Sequence, residues 1–152
     1  NVVANFARQP QGGDTTQIQS IAAGECSAAL VNHYYWVRLS TGTVEDKATA
    51  AKTMLSFPEQ DGVGTHVNVT AAAVAAHAPN KDNAVKFIEW LATPEGQRML
   101  TTETKEFPMI VGVPLPEGLS ALPEFKQSEF PLEQLGKNQN EAQEIYDRAG
   151  WN

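Results

Sequence analysis

Two adjacent tyrosines, Tyr34 and Tyr35, are the residues of this sequence with the most specific chemical potential. A neutral phenol is a poor metal ligand at neutral pH because its pKa is about 10. A hard trivalent cation displaces the phenolic proton and binds the resulting oxygen anion strongly, since hard cations prefer anionic oxygen donors. The pair could therefore bind such a cation, although a tyrosine dipeptide taken alone more often packs with its hydroxyls at a surface.

The segment around the tyrosines predicts how both phenols could reach one ion. Residues 26–31 form an apolar run that is long enough for a buried strand and too short for a helix. Asn32 ends this run, and the polar-aromatic residues after it indicate a strand-to-helix junction, where open α/β sheets place ligand-binding groups. Neighbouring side chains on a regular helix point about 100° apart, but at an irregular junction both can reach one point in a cleft. A helix N-terminus would also favour the phenolate form.

Helix-like and strand-like segments alternate along the chain, which favours an α/β domain. The predicted helices cover residues 14–23, 79–91, a segment opened by Thr93 that carries 97–102, and 140–149. The predicted strands cover residues 26–31, 52–57 and a longer extended stretch, 65–76, whereas 107–118 is predicted to be an ordered loop. These strands would form the sheet that carries the tyrosine junction.

Composition limits the classes of function. With 152 residues, 41% of them apolar, the chain can bury one domain core. The net charge of −7 makes nucleic acid or an anionic membrane an unfavourable partner. One cysteine, Cys26, and three scattered histidines do not form a zinc motif. An odd cysteine is either a small buried hydrophobe or, in a secreted protein, half of a disulfide with a partner elsewhere.

The chain resembles the ferric-binding periplasmic proteins of bacterial iron ABC transporters over roughly its whole length, and three stretches carry the resemblance. They read ARQPQGGDTTQIQSIAAGECSAALVNHYYWVRL, GTHVNVTAAAVAAHAPNKDNAVKFIEWLATPEGQ and EFPMIVGV. The family signature of Asn, one residue and Tyr-Tyr stands here as Asn32-His33-Tyr34-Tyr35. The resemblance implies that Tyr34 and Tyr35 bind Fe3+ in the cleft between two lobes.

The resemblance also implies a fold and a cellular role. Residues 1–152 are expected to be the C-terminal lobe of a two-lobe periplasmic-binding-protein-like α/β fold, with a mixed, mostly parallel sheet flanked by helices. The N-terminal lobe and the remaining iron ligands would then lie outside this chain, which begins at Asn1 and not at a methionine. The implied role is periplasmic capture of ferric iron and delivery to an ABC permease in the inner membrane, without catalysis. An isolated lobe is expected to hold iron weakly or not at all.

Other residues receive roles from the same resemblance. Family members that use a phosphate co-ligand carry Asn at the positions of Asp14 and Asn32, and a carboxylate at Asp14 would repel an anion. The chain is therefore expected to use protein ligands and water. Members of that subgroup tend to carry a cysteine where Cys26 stands, in a disulfide with the missing segment. Arg38 could lie over the tyrosines and stabilise phenolates, or it could be an ordinary surface arginine, and His33 is expected not to be a ligand.

Two alternatives remain at this level. The same fold carries thiamine, polyamines, phosphonates and sugars, none of which requires paired phenols. An enzyme lobe using His33, Asp14 and a hydroxyl is the other alternative. Against an enzyme, the sequence lacks G-x-S-x-G, H-E-x-x-H, a phosphate loop and a dinucleotide fingerprint.

Overall fold

The computed structural model describes residues 2–151, and α-helices are its main regular elements. Within this range a short 3-10 turn, Val3–Asn5, precedes six α-helices. They are α1 (Asp14–Ala22), α2 (His33–Thr41), α3 (Val44–Ala50), α4 (Lys81–Leu91), α5 (Pro94–Thr104) and α6 (Leu132–Ala149). None of the helices in the described range is long and apolar enough to cross a membrane.

The chain divides into two compact units. One unit contains the residues up to Gly13, Ser56–Val67 and the residues from Phe125 onward. In this unit Thr65 forms a single parallel bridge with Gln127, and the rings of Phe57 and Phe125 stack with centroids 4.0 Å apart. Helix α6 belongs to the same unit, and most of its side chains are exposed.

The other unit, Asp14–Leu55 with Asn68–Glu124, contains α1 to α5 and the tyrosine pair. Ile18 of α1, Leu39 of α2 and Ala50 of α3 form its buried apolar cluster. Tyr35 and Trp36 pack against this cluster, and the indole Nε1 of Trp36 donates to the hydroxyl of Thr53 at 2.9 Å. The packing of the first three helices therefore holds the start of α2, with its two tyrosines, in place.

Local capping explains several helix boundaries. Thr93 accepts a hydrogen bond from the backbone N–H of Gly96, and Pro94 occupies the first turn, so α5 begins where the sequence predicts. Helix α5 ends at Lys105, which has a left-handed backbone with φ 64°. Gly24 and Gly150, both with positive φ, follow α1 and α6 as expected for C-terminal stops.

Two helices differ from the prediction. Helix α3 was not predicted, although Thr43 and Asp46 form a reciprocal capping box at its start. Helix α6 begins at Leu132, not at residue 140, and continues through Gly136. The apolar stripe near its C-terminus is regular, whereas its first turns contain Gly, Asn and Gln, which weakened the sequence signal.

The predicted sheet is not confirmed. Among the described residues, 26–31 and 52–57 form no strand, and only Thr65 of 65–76 takes part in a bridge. Strands require neighbours to satisfy their backbone groups, and among the described residues of these segments only Thr65 has a bridge partner. Some of their apolar side chains are correspondingly uncovered, with Leu30 88% exposed and Met54 87% exposed.

Candidate metal centre

The tyrosine pair lies in the first turn of α2. Asn32 precedes the helix with an extended backbone (φ −75°, ψ 136°), and the helix begins at His33. The predicted entry into a helix after Asn32 is therefore confirmed, although the segment before it is irregular. The first N–H groups of a helix lack acceptors within the helix and carry partial positive charge. Both phenols are thus placed at the end of a helix that favours anions.

The two phenol rings lie side by side. Their centroids are 4.6 Å apart with a tilt of 38°, and both residues are half-buried. Tyr35 packs against the cluster of Ile18, Leu39 and Ala50, which fixes the base of its ring. Tyr34 instead contacts the ring of His33 edge-on, with centroids 5.7 Å apart. The structure thus brings together the two side chains that the sequence selects as ligands.

Arg38 lies over the pair, which is one of the two arrangements that the sequence left open. Its guanidinium carbon is 5.1 Å from the ring centroid of Tyr34 and 5.5 Å from that of Tyr35. Its Nη2 also donates to the backbone carbonyl of Thr104 at 3.1 Å, which ties the guanidinium to the end of α5. A cation over two aromatic faces is favourable by itself and would stabilise negative charge on either phenolic oxygen.

Asp14 and Asn32 are joined directly. Oδ2 of Asp14 accepts hydrogen bonds from the backbone N–H of Asn32 at 2.7 Å and from its side-chain Nδ2 at 3.0 Å. The sequence predicted no contact between these residues, which are 18 positions apart. Asp14 is the first residue of α1, so its carboxylate connects the start of α1 to the junction that presents the tyrosines.

The pKa of Tyr34 is raised above the ordinary value of a tyrosine. Loss of hydration on burial is the largest cause. The hydrogen bond with Tyr35 and the negative charges of Tyr35, Asp14 and Glu106 act in the same direction. In the absence of a cation Tyr34 is therefore a neutral phenol at physiological pH, and a metal ion would have to displace its proton.

The remaining predicted site residue, Cys26, is a half-buried free thiol. No group of three or more His, Cys, Asp or Glu residues in the described part of the chain is arranged to hold a metal ion. The tyrosine pair is consequently not supplemented by a conventional carboxylate or imidazole cluster within that part of the chain.

The sequence did not predict the contacts that α2 makes with the segment at the end of α5. The carbonyls of Thr104 and Lys105 and the ring of Phe107 all contact side chains of the first turns of α2. These residues lie about 70 positions from the tyrosines, and two of the contacts use backbone oxygen. Backbone carbonyls carry no residue-type signal, so no local pattern could have revealed them.

Comparison with known proteins agrees with the geometry. Residues 5–98 match the bacterial extracellular solute-binding protein family. Iron uptake protein A1 of Synechocystis is 42% identical over 150 residues, which cover 98% of this chain and 42% of that protein. The major ferric iron-binding protein of Neisseria meningitidis serogroup B is 36% identical over 101 residues, covering 66% of this chain and 30% of that protein.

A solved structure shows the same arrangement of the chain. The Trichodesmium protein IdiA (FutA), in complex with iron and citrate, has a TM-score of 0.90 and 41% identity, and the match covers 99% of this chain and 48% of that one. These two matches cover nearly all of this chain. They cover less than half the length of each relative.

These matches decide between the interpretations of the sequence. The relatives are named as iron-uptake and ferric-binding proteins and not as enzymes, in agreement with the predicted class. The resemblance to ferric-binding proteins is confirmed, and the relatives do not favour an organic solute as ligand. The solved structures are ferric-binding proteins with the two-lobe binding-protein fold, so that part of the fold prediction is confirmed as well. The chain belongs to the bacterial extracellular solute-binding protein family.

Proposed function

We propose that this chain contributes Tyr34 and Tyr35 as ligands to Fe3+ in a protein that captures ferric iron for uptake. The observation that carries the proposal is the pair of phenol rings, 4.6 Å apart at the start of α2 under the guanidinium of Arg38. The chain's relatives named for iron uptake and ferric iron binding support the identity of the ion. Phenolate oxygen is a hard anionic donor that suits a hard trivalent cation.

Proton displacement makes this site selective for strongly polarising ions. Because the pKa of Tyr34 is raised, a weakly binding cation would leave the phenol protonated. Fe3+ can displace that proton, and Arg38 then stabilises the phenolate that forms. Binding should release protons and should strengthen as pH rises toward the pKa of Tyr34.

The absence of a phosphate co-ligand is supported by the contact between Asp14 and Asn32. The side-chain N–H of Asn32 already donates a hydrogen bond to the carboxylate of Asp14 at 3.0 Å. An incoming anion would have to break this hydrogen bond and approach a like charge, which costs energy. We therefore infer that water and protein groups, and not phosphate, complete the coordination at this end of the site.

Further ligands must come from outside the tyrosine pair. Two phenolates do not fill a six-coordinate shell, and the described residues hold no metal-binding cluster of His, Cys, Asp or Glu. The chain spans 42% of its Synechocystis relative. We infer that it acts as the C-terminal lobe and that an N-terminal lobe supplies the other ligands. By itself the chain should hold iron weakly.

Location and delivery follow from the same proposal. The matched family is described as extracellular, and a Serratia marcescens relative is named as a periplasmic Fe(3+)-binding protein. We infer a periplasmic protein that passes iron to an ABC permease in the inner membrane. In that oxidising compartment the thiol of Cys26 would be paired in a disulfide with a cysteine outside this chain.

A ferric citrate titration tests the proposal. Iron bound to phenolate gives a visible charge-transfer band, so the chain should develop this band on titration. The Tyr34→Phe, Tyr35→Phe double variant should lose it, because phenylalanine keeps the ring and removes the donor oxygen. Tyr146→Phe is the matched control, since it changes the only other tyrosine and lies on α6. A band that survives in the double variant would contradict the assignment of the site.

A further inference from the structure

Two residues of α2, one before and one after the tyrosine pair, are both attached to one short segment. The Nε2 atom of His33 lies 3.1 Å from the carbonyl oxygen of Lys105. Arg38 donates to the carbonyl of the preceding residue, Thr104, also at 3.1 Å. We name residues 104–107 the α5 terminus. The side chain of His33, immediately before the tyrosines, and that of Arg38, three positions after Tyr35, are thus anchored to the α5 terminus.

The chemistry of a helix end explains why this anchor holds. The last carbonyls of a helix have no donor within the helix and carry partial negative charge. An arginine and a ring N–H are suitable partners for them. Because a carbonyl oxygen can only accept, His33 must carry its proton on Nε2 when neutral. That nitrogen is occupied by the carbonyl and is unavailable to a metal ion.

The ring of His33 is held between two aromatic neighbours. It stacks on Phe107 with centroids 5.0 Å apart and a tilt of 27°. The same ring meets Tyr34 nearly edge-on, at 5.7 Å and 77°. Tyr34 does not belong to the set of side chains packed on the apolar cluster, whereas Tyr35 does. The described contacts that orient the Tyr34 ring are therefore those to His33, Tyr35 and Arg38.

We propose that His33 is a positioning residue for Tyr34. The carbonyl of Lys105 and the ring of Phe107 fix the imidazole, and the imidazole fixes the phenol so that its oxygen is aimed before iron arrives. This role rests on the proposed function of the tyrosine pair. A ligand whose side chain is already ordered loses less entropy on binding. Loss of the anchor should weaken iron binding about two- to tenfold, the range expected for ordering one side chain.

Two variants separate the two halves of the anchor. His33→Gln keeps an N–H donor for the Lys105 carbonyl and removes the ring. His33→Phe keeps a ring for Phe107 and Tyr34 and removes the donor. His77→Gln is the matched control, because His77 is exposed and lies in the irregular segment before α4. If either variant at position 33 fails to fold by circular dichroism, Phe107→Leu removes the stacking partner and leaves His33 in place.

The readout that does not depend on iron is the NMR spectrum of the tyrosine rings. The chain has three tyrosines, so the Tyr34 signals can be assigned with single Tyr→Phe variants. The unaltered chain should show ring-to-ring contacts between His33 and Tyr34 and slow flipping of the Tyr34 ring. A shifted or faster-flipping Tyr34 ring in either variant, with His77→Gln unchanged, supports the proposal. Unchanged Tyr34 signals in both variants would overturn it.

The iron titration then distinguishes failure of this proposal from failure of the proposed function. If the Tyr34 ring responds to the variants but no charge-transfer band forms in the unaltered chain, the positioning contact stands and iron binding by this chain does not. If the band forms with the same half-saturating concentration of ferric citrate in all variants, iron binding stands and the positioning role of His33 is refuted.

Discussion

At the residue scale, the tyrosines acquire their proposed chemistry from neighbours that differ for each ring. Tyr35 is fixed by the apolar cluster of three helices, whereas Tyr34 depends on polar and aromatic contacts to His33 and Arg38. The sequence identified the tyrosine pair, and it left open whether Arg38 lies over the pair or is an ordinary surface residue. It did not place the contact of Asp14 with Asn32 or that of His33 with Lys105, because those contacts depend on where the start of α1 and the end of α5 lie in space.

His33 should make folding stability depend on pH. Burial lowers its pKa below the ordinary value, although the hydrogen bond to Lys105 and the charge of Glu106 oppose this shift. A lowered pKa in the folded state means that the unfolded chain takes up a proton first as pH falls below about 6.5. The contribution of His33 is thus present above that pH and is lost as pH falls through the folded-state value.

The prediction for His33 can be checked by urea denaturation. Between about pH 7.5 and 5, the free energy of unfolding of the unaltered chain should fall more steeply than that of His33→Gln, which cannot titrate. The difference arises because the glutamine variant removes the coupled proton uptake. Equal pH dependence in the two proteins would show that His33 is not kept neutral by folding.

At the element scale, helix ends were predicted better than strands because caps are local. Thr93 with Pro94 defines the start of α5, and the same logic applied to Thr43 and Asp46 would have found α3. A strand segment is recognised by its apolar residues, but its local sequence does not indicate which part of the chain covers them. The strands predicted at residues 26–31 and 52–57 are therefore not confirmed, although both segments contain apolar residues.

Gly118 is the contact through which the loop after residue 107 rests on α2. It has φ +89°, and a Cβ there would lie 2.7 Å from the methyl carbon of Thr41 and 2.8 Å from Cγ1 of Val37. Gly118→Ala should therefore lower the free energy of unfolding by about 1–3 kcal/mol, from backbone strain plus overpacking. Gly112→Ala is the control, since Gly112 also has positive φ but a Cβ at that position would have no atom within 4 Å.

Urea denaturation of both glycine variants separates strain from packing. Both should lose stability through the unfavourable backbone conformation, and Gly118→Ala should lose more because of its clash with α2. Equal losses would show that the loop is not pressed against α2 at this point.

At the scale of the whole molecule, the chain exposes large apolar side chains in segments that lie outside its helices. Leu30 is 88% exposed and Met54 is 87% exposed, and both lie in segments that the sequence predicted to be strands. The matched relatives are more than twice as long as the matched region. We expect these segments to pair with polypeptide outside this chain, which would satisfy their backbone groups and cover their side chains.

Hydrogen exchange tests this expectation. In the chain studied alone, amides of residues 26–31 and 52–57 should exchange rapidly, and those of α2 should be protected. Supplying the N-terminal half of an iron uptake protein relative should slow exchange in both segments. Strong protection in the chain alone would mean that the segments already have partners.

The anchor between α2 and the α5 terminus also has a consequence for the order of folding. The contact of His33 with Lys105 joins residues 72 positions apart, and that of Arg38 with Thr104 joins residues 66 apart. Contacts that close such long stretches of chain carry a larger entropic cost than those within a helix. Helix α2 can form early from its local contacts, but the geometry around Tyr34 should be acquired only in a late step that brings α5 against it.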